Sequence, residues 1–276
     1  VKQRVTKAKL RTIRIKALAK AVKKGKHLFN TGAFSQGSYG AAAFGYNPSF
    51  IQHLVAMAHY ASSVGNAQGQ CATVNIALSL GLKHHPGIKC RMEQVRSWFD
   101  RIESDQVDLV DSTQIFYHIK RHIINEDEGA PWRRIKGPIG AIIATLTDIG
   151  WVPFSMFWWL GVGFDWVYKP GSDPSMMIEV LESDLHTFGW QKAAQGRLAQ
   201  GMEGGIDLSV VKRIIARWRA LGNHKNAGLV QCIAAGGKWP KARKYEAKLC
   251  DFDICPYCNN ATEDEFHCFW VCPMKL

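Results

Sequence analysis

A chain of 276 residues that is 47% hydrophobic and 21% charged holds the apolar material for one large or two modest domains, which excludes wholesale disorder. Its net charge of +12 is one-sided: residues 1–92 carry fourteen Lys and Arg with no acid before Glu93, and the remainder is close to neutral. Such a field favours polyanions, nucleic acid first and an anionic membrane second.

The opening residue is Val1 rather than Met, which reads as part of a longer open reading frame or a trimmed chain. Eight cysteines are present, five of them within the last 27 residues, and no signal peptide precedes them. That clustering fits reduced, metal-binding thiols in an intracellular compartment, nuclear or cytoplasmic, better than a secreted disulfide framework.

In chain order, residues 2–26 predict one long basic helix. Val5, Ala8, Ile13, Ala17, Leu18, Ala21 and Val22 recur at three- to five-residue steps among Lys and Arg, with Gly25 as the stop. Asn30 to Asn47, rich in Gly, Ala, Ser and aromatics, predicts a tightly packed turn. Helices follow at about 49–63 after Pro48, and at 72–82, 86–104 and 108–124. The acidic loop Asn125 to Trp132 is the candidate internal boundary.

A helix from Ile139 to Ile149 then ends at Gly150-Trp151, and Phe154 to Tyr168 supplies a short hairpin. Helical patterns resume at 175–190, 208–221 and 227–235. The uncharged run Ile149 to Phe164 is 16 residues long, holds three glycines and a proline, and falls short of the roughly 18–20 that span a bilayer. The expected fold class is mainly α: a helical body, a short β-containing aromatic segment around 150–170, and a small carboxy-terminal zinc-binding module. The expected domains are 1–128 (basic, helical), 129–226 (helical, with the short strands) and 227–276 (the zinc module).

The spacing Cys255-x2-Cys258-x8-His267-x4-Cys272 carries the most specific chemistry. Two residues between the first cysteines let both thiolates face one ion from a tight turn, which Pro256 favours, and the His and Cys share one face of a helical turn. Three thiolates and an imidazole fill a tetrahedron and leave no position for water, so the expected cofactor is structural Zn2+. Buried, reduced thiols without metal are the plainer alternative. Cys250 and Cys268 are spares without the paired spacing.

Catalytic patterns are missing. Gly237-Lys238 is followed by Trp239 rather than a P-loop Ser or Thr, Gly161-Val162-Gly163 lacks a third glycine, and no His-Glu-x-x-His occurs. Asp105, Asp108 and Asp111 read as a solvated helix face, and the pairs His84/His85 and His118/His122 as surface or core histidines.

The segments Ala234-Ala235-Gly236-Gly237-Lys238-Trp239-Pro240-Lys241-Ala242-Arg243, Cys255-Pro256-Tyr257-Cys258, Thr262-Glu263, His267 and Trp270-Val271-Cys272-Pro273 together resemble the carboxy-terminal zinc-binding region of non-LTR retrotransposon reverse transcriptases. Upstream, Gly137-Pro138-Ile139-Gly140, Asp148-Ile149-Gly150-Trp151, Leu28 to Gly32 and Tyr39-Gly40 are similar to the thumb and connector that precede it. The resemblance implies a chain lying downstream of the polymerase palm. No Asp-Asp pair is present, so this chain would not polymerise; the parent protein would be an RNA-directed DNA polymerase.

Its implied role is non-catalytic: to hold template RNA or target DNA for the upstream reverse transcriptase domain of the same polyprotein. Arg4, Lys7, Arg11, Arg14, Lys20 and Lys24 would contact phosphates. Lys238, Lys241, Arg243 and Lys244 form a second cluster beside Trp239, which either stacks on an unpaired base or packs inward. The alternative is a zinc-stapled protein-interaction module whose aromatic patch is Phe154, Phe157 and Trp158. A membrane partner is not expected, since residues 1–26 carry no Trp or Phe.

Overall fold

The computed structural model describes residues 2–22, 24–65, 67–104, 108–124, 132, 135 and 137–274. The chain forms two compact units, residues 1–63 with 72–208 and residues 64–71 with 209–276. It therefore divides at 208/209 and around a short excursion at 64–71. The 125–131 stretch lies outside the described residues.

In the larger unit, α1 (Lys2–Ala21) packs on α2 (Pro48–Ser62). Its buried stripe is Ala8, Thr12 and Ile15, and Thr12 returns its hydroxyl to the Ala8 carbonyl at 2.8 Å. Ile13, Leu18 and Val22, expected among the apolar positions, are exposed. Small residues decide which face turns inward, because Ala8 and Thr12 admit a close approach that Ile13 on the other side would block. The predicted helix also ends earlier, at Ala21. A 3-10 turn (Gly25–His27) and a π turn (Phe29–Phe34) follow, and Phe29 and Phe34 join Leu54, Met57, Ala58 and Ile76 in a first core.

Capping residues fix the next boundaries. Asn47 accepts from the Phe50 N–H at 2.8 Å with Pro48 opening α2, and His85 accepts from Gly87 at 3.2 Å ahead of α4 (Pro86–Glu103), after α3 (Ala72–Ser79). Asp108 caps α5 (Leu109–Ile124), accepting from Val110 and Asp111 at 2.9 and 3.1 Å. Asp108, read from sequence as part of a solvated helix face, is thus a helix cap; Asp105 lies outside the described residues.

After α6 (Pro138–Asp148), the expected hairpin is a three-stranded antiparallel sheet: β1 (Val152–Pro153), β2 (Trp158–Leu160) and β3 (Asp165–Val167). Trp159 pairs with Pro153 and Trp166 and points inward, while its neighbour Trp158 is exposed, as a period of two requires. Gly161 is needed here, because an added Cβ would stand 2.8 Å from the Trp151 ring. Trp151 and Trp159 meet edge to face at 6.5 Å in the second core, with Phe99, Phe116, Ile143 and Leu146, and α7 (Ser175–Ala194) closes it with Leu181 and Leu185. The Trp151 N–H reaches Asp184 at 2.8 Å, and Arg91 pairs with Asp148 at 3.2 Å.

The smaller unit contains α8 (Ser209–Ala220), α9 (His224–Ala234), α10 (Lys241–Glu246) and the Cys/His segment, and α8 packs on α9. The mainly α class with a small carboxy-terminal Cys/His module is what the sequence predicts. Among the described residues, no helix is long and apolar enough to cross a membrane.

His85 is buried and its Nε2 has no hydrogen-bond partner among the described residues. Burial, then the charges of Arg91 and His186, push it down to about 4 from 6.5. The unfolded chain therefore takes up this proton first as pH falls, so stability is full above pH 6.5 and drains away towards pH 4. The expected loss is about 3 kcal/mol in denaturant titrations, and His85→Asn, which can still cap α4, should flatten that limb.

Candidate metal centre

The segment 250–274 has almost nothing apolar to bury. Its buried side chains are Cys255, Glu263, His267, Cys268 and Cys272, whereas Phe252, Tyr257, Phe266, Phe269 and Trp270 are exposed. Polar backbone pairing supplies the frame: Cys255 donates to the Ala261 carbonyl at 2.8 Å, Glu263 to Asp253 at 2.7 Å, and Ile254 bridges Thr262. The turn between these arms holds Cys255 and Cys258 and closes with Asn259 in the left-handed region (φ 53°), where Asn is tolerated.

A second turn brings the other two ligands. Asp264 accepts from the His267 N–H at 2.6 Å, which starts the turn, and Cys272 donates to the His267 carbonyl at 3.0 Å. That last bond spans five residues, so His267–Val271 is a π turn. His-x4-Cys is therefore not an α-helical spacing. The wider turn is what returns a residue five positions on to the same side.

The ligand atoms of Cys255, Cys258, His267 and Cys272 all lie within 4.8 Å of one another, the one such group of three or more among the described residues. Cys255 Sγ is 3.8 Å from Cys272 Sγ, and Cys258 Sγ is 3.3 Å from His267 Nε2. The set fits a metal ion: the sulfurs are free thiols, they converge, and no apolar core explains their burial. Burial raises the Cys255 thiol, but backbone N–H groups of Cys258 and Tyr257 and the neighbouring His267 and Cys258 side chains outweigh it and bring it down to about 6. Cys272 is pushed up, by burial first.

The spares fall outside the set. Cys268 donates to Glu263 Oε1 at 3.2 Å, and Glu263 Oε2 accepts from the Lys241 N–H at 2.9 Å, tying the module to α10. Cys250 donates to the Phe252 carbonyl at 3.2 Å. Sequence reasoning missed Glu263 and Asp264 as supports; the signal was an acid three residues before the helical turn's His, the position of a cap.

No family model, curated protein or solved structure matches the chain. The assignment of its surfaces rests on geometry. In the second basic cluster, Arg243 is buried and donates to the carbonyls of Gly236, Lys238 and Gly69 at 2.6, 2.7 and 3.0 Å, with its guanidinium 4.8 Å from the Trp239 ring centre. It serves as a structural tie. Trp239 packs inward over Gly69, whose φ of +70° and lack of Cβ make room for the indole 2.4 Å from where a Cβ would stand. Lys238 lies 4.4 Å over the Phe269 ring and Lys241 5.9 Å over Phe252; Lys244 is exposed. An exposed set on α8, Lys212, Arg213 and Arg217, was not singled out from sequence, although three cations within six residues marked it.

On α1, Arg4, Lys7, Arg11 and Arg14 share one flank at steps of three, four and three, a row about 15 Å long. Arg4 also stacks on Tyr39 at 4.5 Å and Arg11 donates to the Gly32 carbonyl at 3.2 Å, which orients both guanidinium groups. Lys20 lies on the opposite flank and Lys24 beyond the helix, both exposed.

Two outcomes test the centre. Cys255→Ser and Cys272→Ser should each remove the bound metal in elemental analysis, whereas Cys250→Ser and Cys268→Ser should keep one ion per chain. Arg243→Gln strands three carbonyls and should cost the smaller unit about 2–4 kcal/mol in thermal unfolding.

Proposed function

We propose that the chain is a non-catalytic nucleic-acid-binding protein whose carboxy-terminal module is stapled by zinc. The observation that carries the binding role is the row Arg4, Lys7, Arg11 and Arg14, set in a stretch of 92 residues with no acid. Four cations along one helix flank neutralise successive phosphates without reading bases, and the surrounding field draws polyanions in.

Zinc is the proposed ion because three sulfurs and one nitrogen are its usual tetrahedral set. With metal–sulfur bonds of about 2.3 Å a tetrahedron has a sulfur–sulfur edge of about 3.8 Å, the separation of Cys255 and Cys272. Bound there, zinc supplies folding energy rather than chemistry, since all four positions are taken. The resemblance to retroelement reverse transcriptases gives this arrangement a role, holding template RNA or target DNA for the polymerase domain of a shared polyprotein.

A second reading is favoured by the exposed aromatic side chains. Trp270, Phe266, Phe252 and Tyr257 stand on a module where Lys238, Lys241, Lys244 and Lys248 are offset by Asp251, Asp253, Asp264 and Glu265, so its charge does not single out nucleic acid. Trp158 is exposed and Phe154 and Phe157 are half-buried, leaving part of the expected aromatic patch at the surface as well. Both surfaces suit a protein partner.

Fluorescence anisotropy with single-stranded RNA and DNA between 50 and 200 mM salt separates the two. Binding through the four-cation row should weaken with a log–log slope of about −3, and Lys7→Gln with Arg14→Gln should bring the slope to about −1.4. Absent or salt-insensitive binding to both strands removes the nucleic-acid reading and leaves the docking module.

A further inference from the structure

Beside its cation row, α1 turns an uncharged stripe outward. Thr6, Leu10, Ile13, Ala17 and Ala21 follow at steps of four, three, four and four, which aligns them on the side of the helix away from Ala8, Thr12 and Ile15. All five are exposed, and Leu10 and Ile13 at 54% and 53% are the largest apolar groups on the stripe. Cations border it on both sides: Lys7 and Arg14 along one edge, Lys9 and Lys20 along the other.

A face made for phosphates would put its cations at the centre. Here the centre is apolar and the charge is at the rim, the complement of an amphipathic helix with an apolar stripe and acidic borders. We propose that the outward face of α1 docks such an acidic-bordered helix of a partner protein.

Two features choose a helix over a lipid surface. Ala17 and Ala21 lie one turn apart, so a second helix axis can approach closely at that end, with Leu10 and Ile13 filling the space at the other. Interfacial helices instead carry bulky aromatic anchors, and α1 has no Trp, Phe or Tyr. A second copy of this chain is a poor occupant, because its own face would set cation against cation.

The test uses the full chain and two synthetic helical peptides of about 18 residues, a length that covers the stripe at 1.5 Å per residue. Both carry a leucine stripe, one bordered by Glu and the other by Lys; vesicles of phosphatidylserine and phosphatidylcholine are the third probe. The Glu-bordered peptide should bind at least tenfold more tightly than the Lys-bordered one. Leu10→Asn with Ile13→Asn should weaken it at least tenfold, and Ala17→Trp should weaken it by obstructing close approach. Lys9→Glu with Lys20→Glu should tighten binding of the Lys-bordered peptide while weakening the Glu-bordered one, a gain that loss of folding cannot mimic. Equal affinity for the two peptides, indifference to Leu10 and Ile13, or vesicle binding that Ala17→Trp strengthens would overturn the proposal.

Discussion

The carboxy-terminal module depends on one constraint: it has no hydrophobic interior. A segment that leaves Phe252, Tyr257, Phe266, Phe269 and Trp270 in water gains little from burial and must close around something else. Its buried positions are occupied by Cys255, His267 and Cys272 of the candidate metal centre and by the Glu263–Cys268 pair that braces them. The backbone follows this need. A paired arm presents Cys255 and Cys258, and a π turn started by Asp264 swings His267 and Cys272 to meet them. Arg243 then anchors α10 to the carbonyls around it, so a residue type usually reserved for solvent becomes internal framework.

The larger unit solves the opposite problem. It has aromatic and aliphatic material in quantity and distributes it over two cores, one around Phe29, Phe34 and Leu54, the other around Trp151, Trp159 and Leu146. Its electrostatics are less evenly shared. No acid occurs before Glu93, and cations of α1 contact rings, a carbonyl and a hydroxyl: Arg4 on Tyr39, Lys16 over Tyr60 and on Ser63, Arg11 on Gly32.

What was legible in the sequence follows from what is local. Ligand type and spacing at Cys255, Cys258, His267 and Cys272 converge in space, and helix positions came through where a cap or Pro marked the start, as at Asn47-Pro48. The inward face of α1 was not legible, because Ile13 and Leu18 are better hydrophobes than Ala8 and Thr12, and only the close approach of α2 tells which side is covered. The framework role of Arg243 was hidden for a related reason: a cation in a basic run looks solvated until the carbonyls that converge on it, one of them from Gly69, are known. Domain limits were hidden as well, since no compositional shift marks 64–71 as belonging with 209–276.

That last arrangement bears on how the chain is made. Cys71 gives its N–H to the Ala235 carbonyl, Gly69 accepts Arg243 and seats Trp239, and Val64 rests against Gly228. On a ribosome, residues 64–71 emerge well over a hundred residues before the elements that complete their surroundings, while α2 and α3 on either side can already find each other. The segment must wait as an open loop, and the smaller unit is assembled from pieces synthesised far apart, which makes it the late step of folding. A fragment beginning at Ser209 would carry all four residues of the candidate metal centre and still lack the bed on which Trp239 and Arg243 lie.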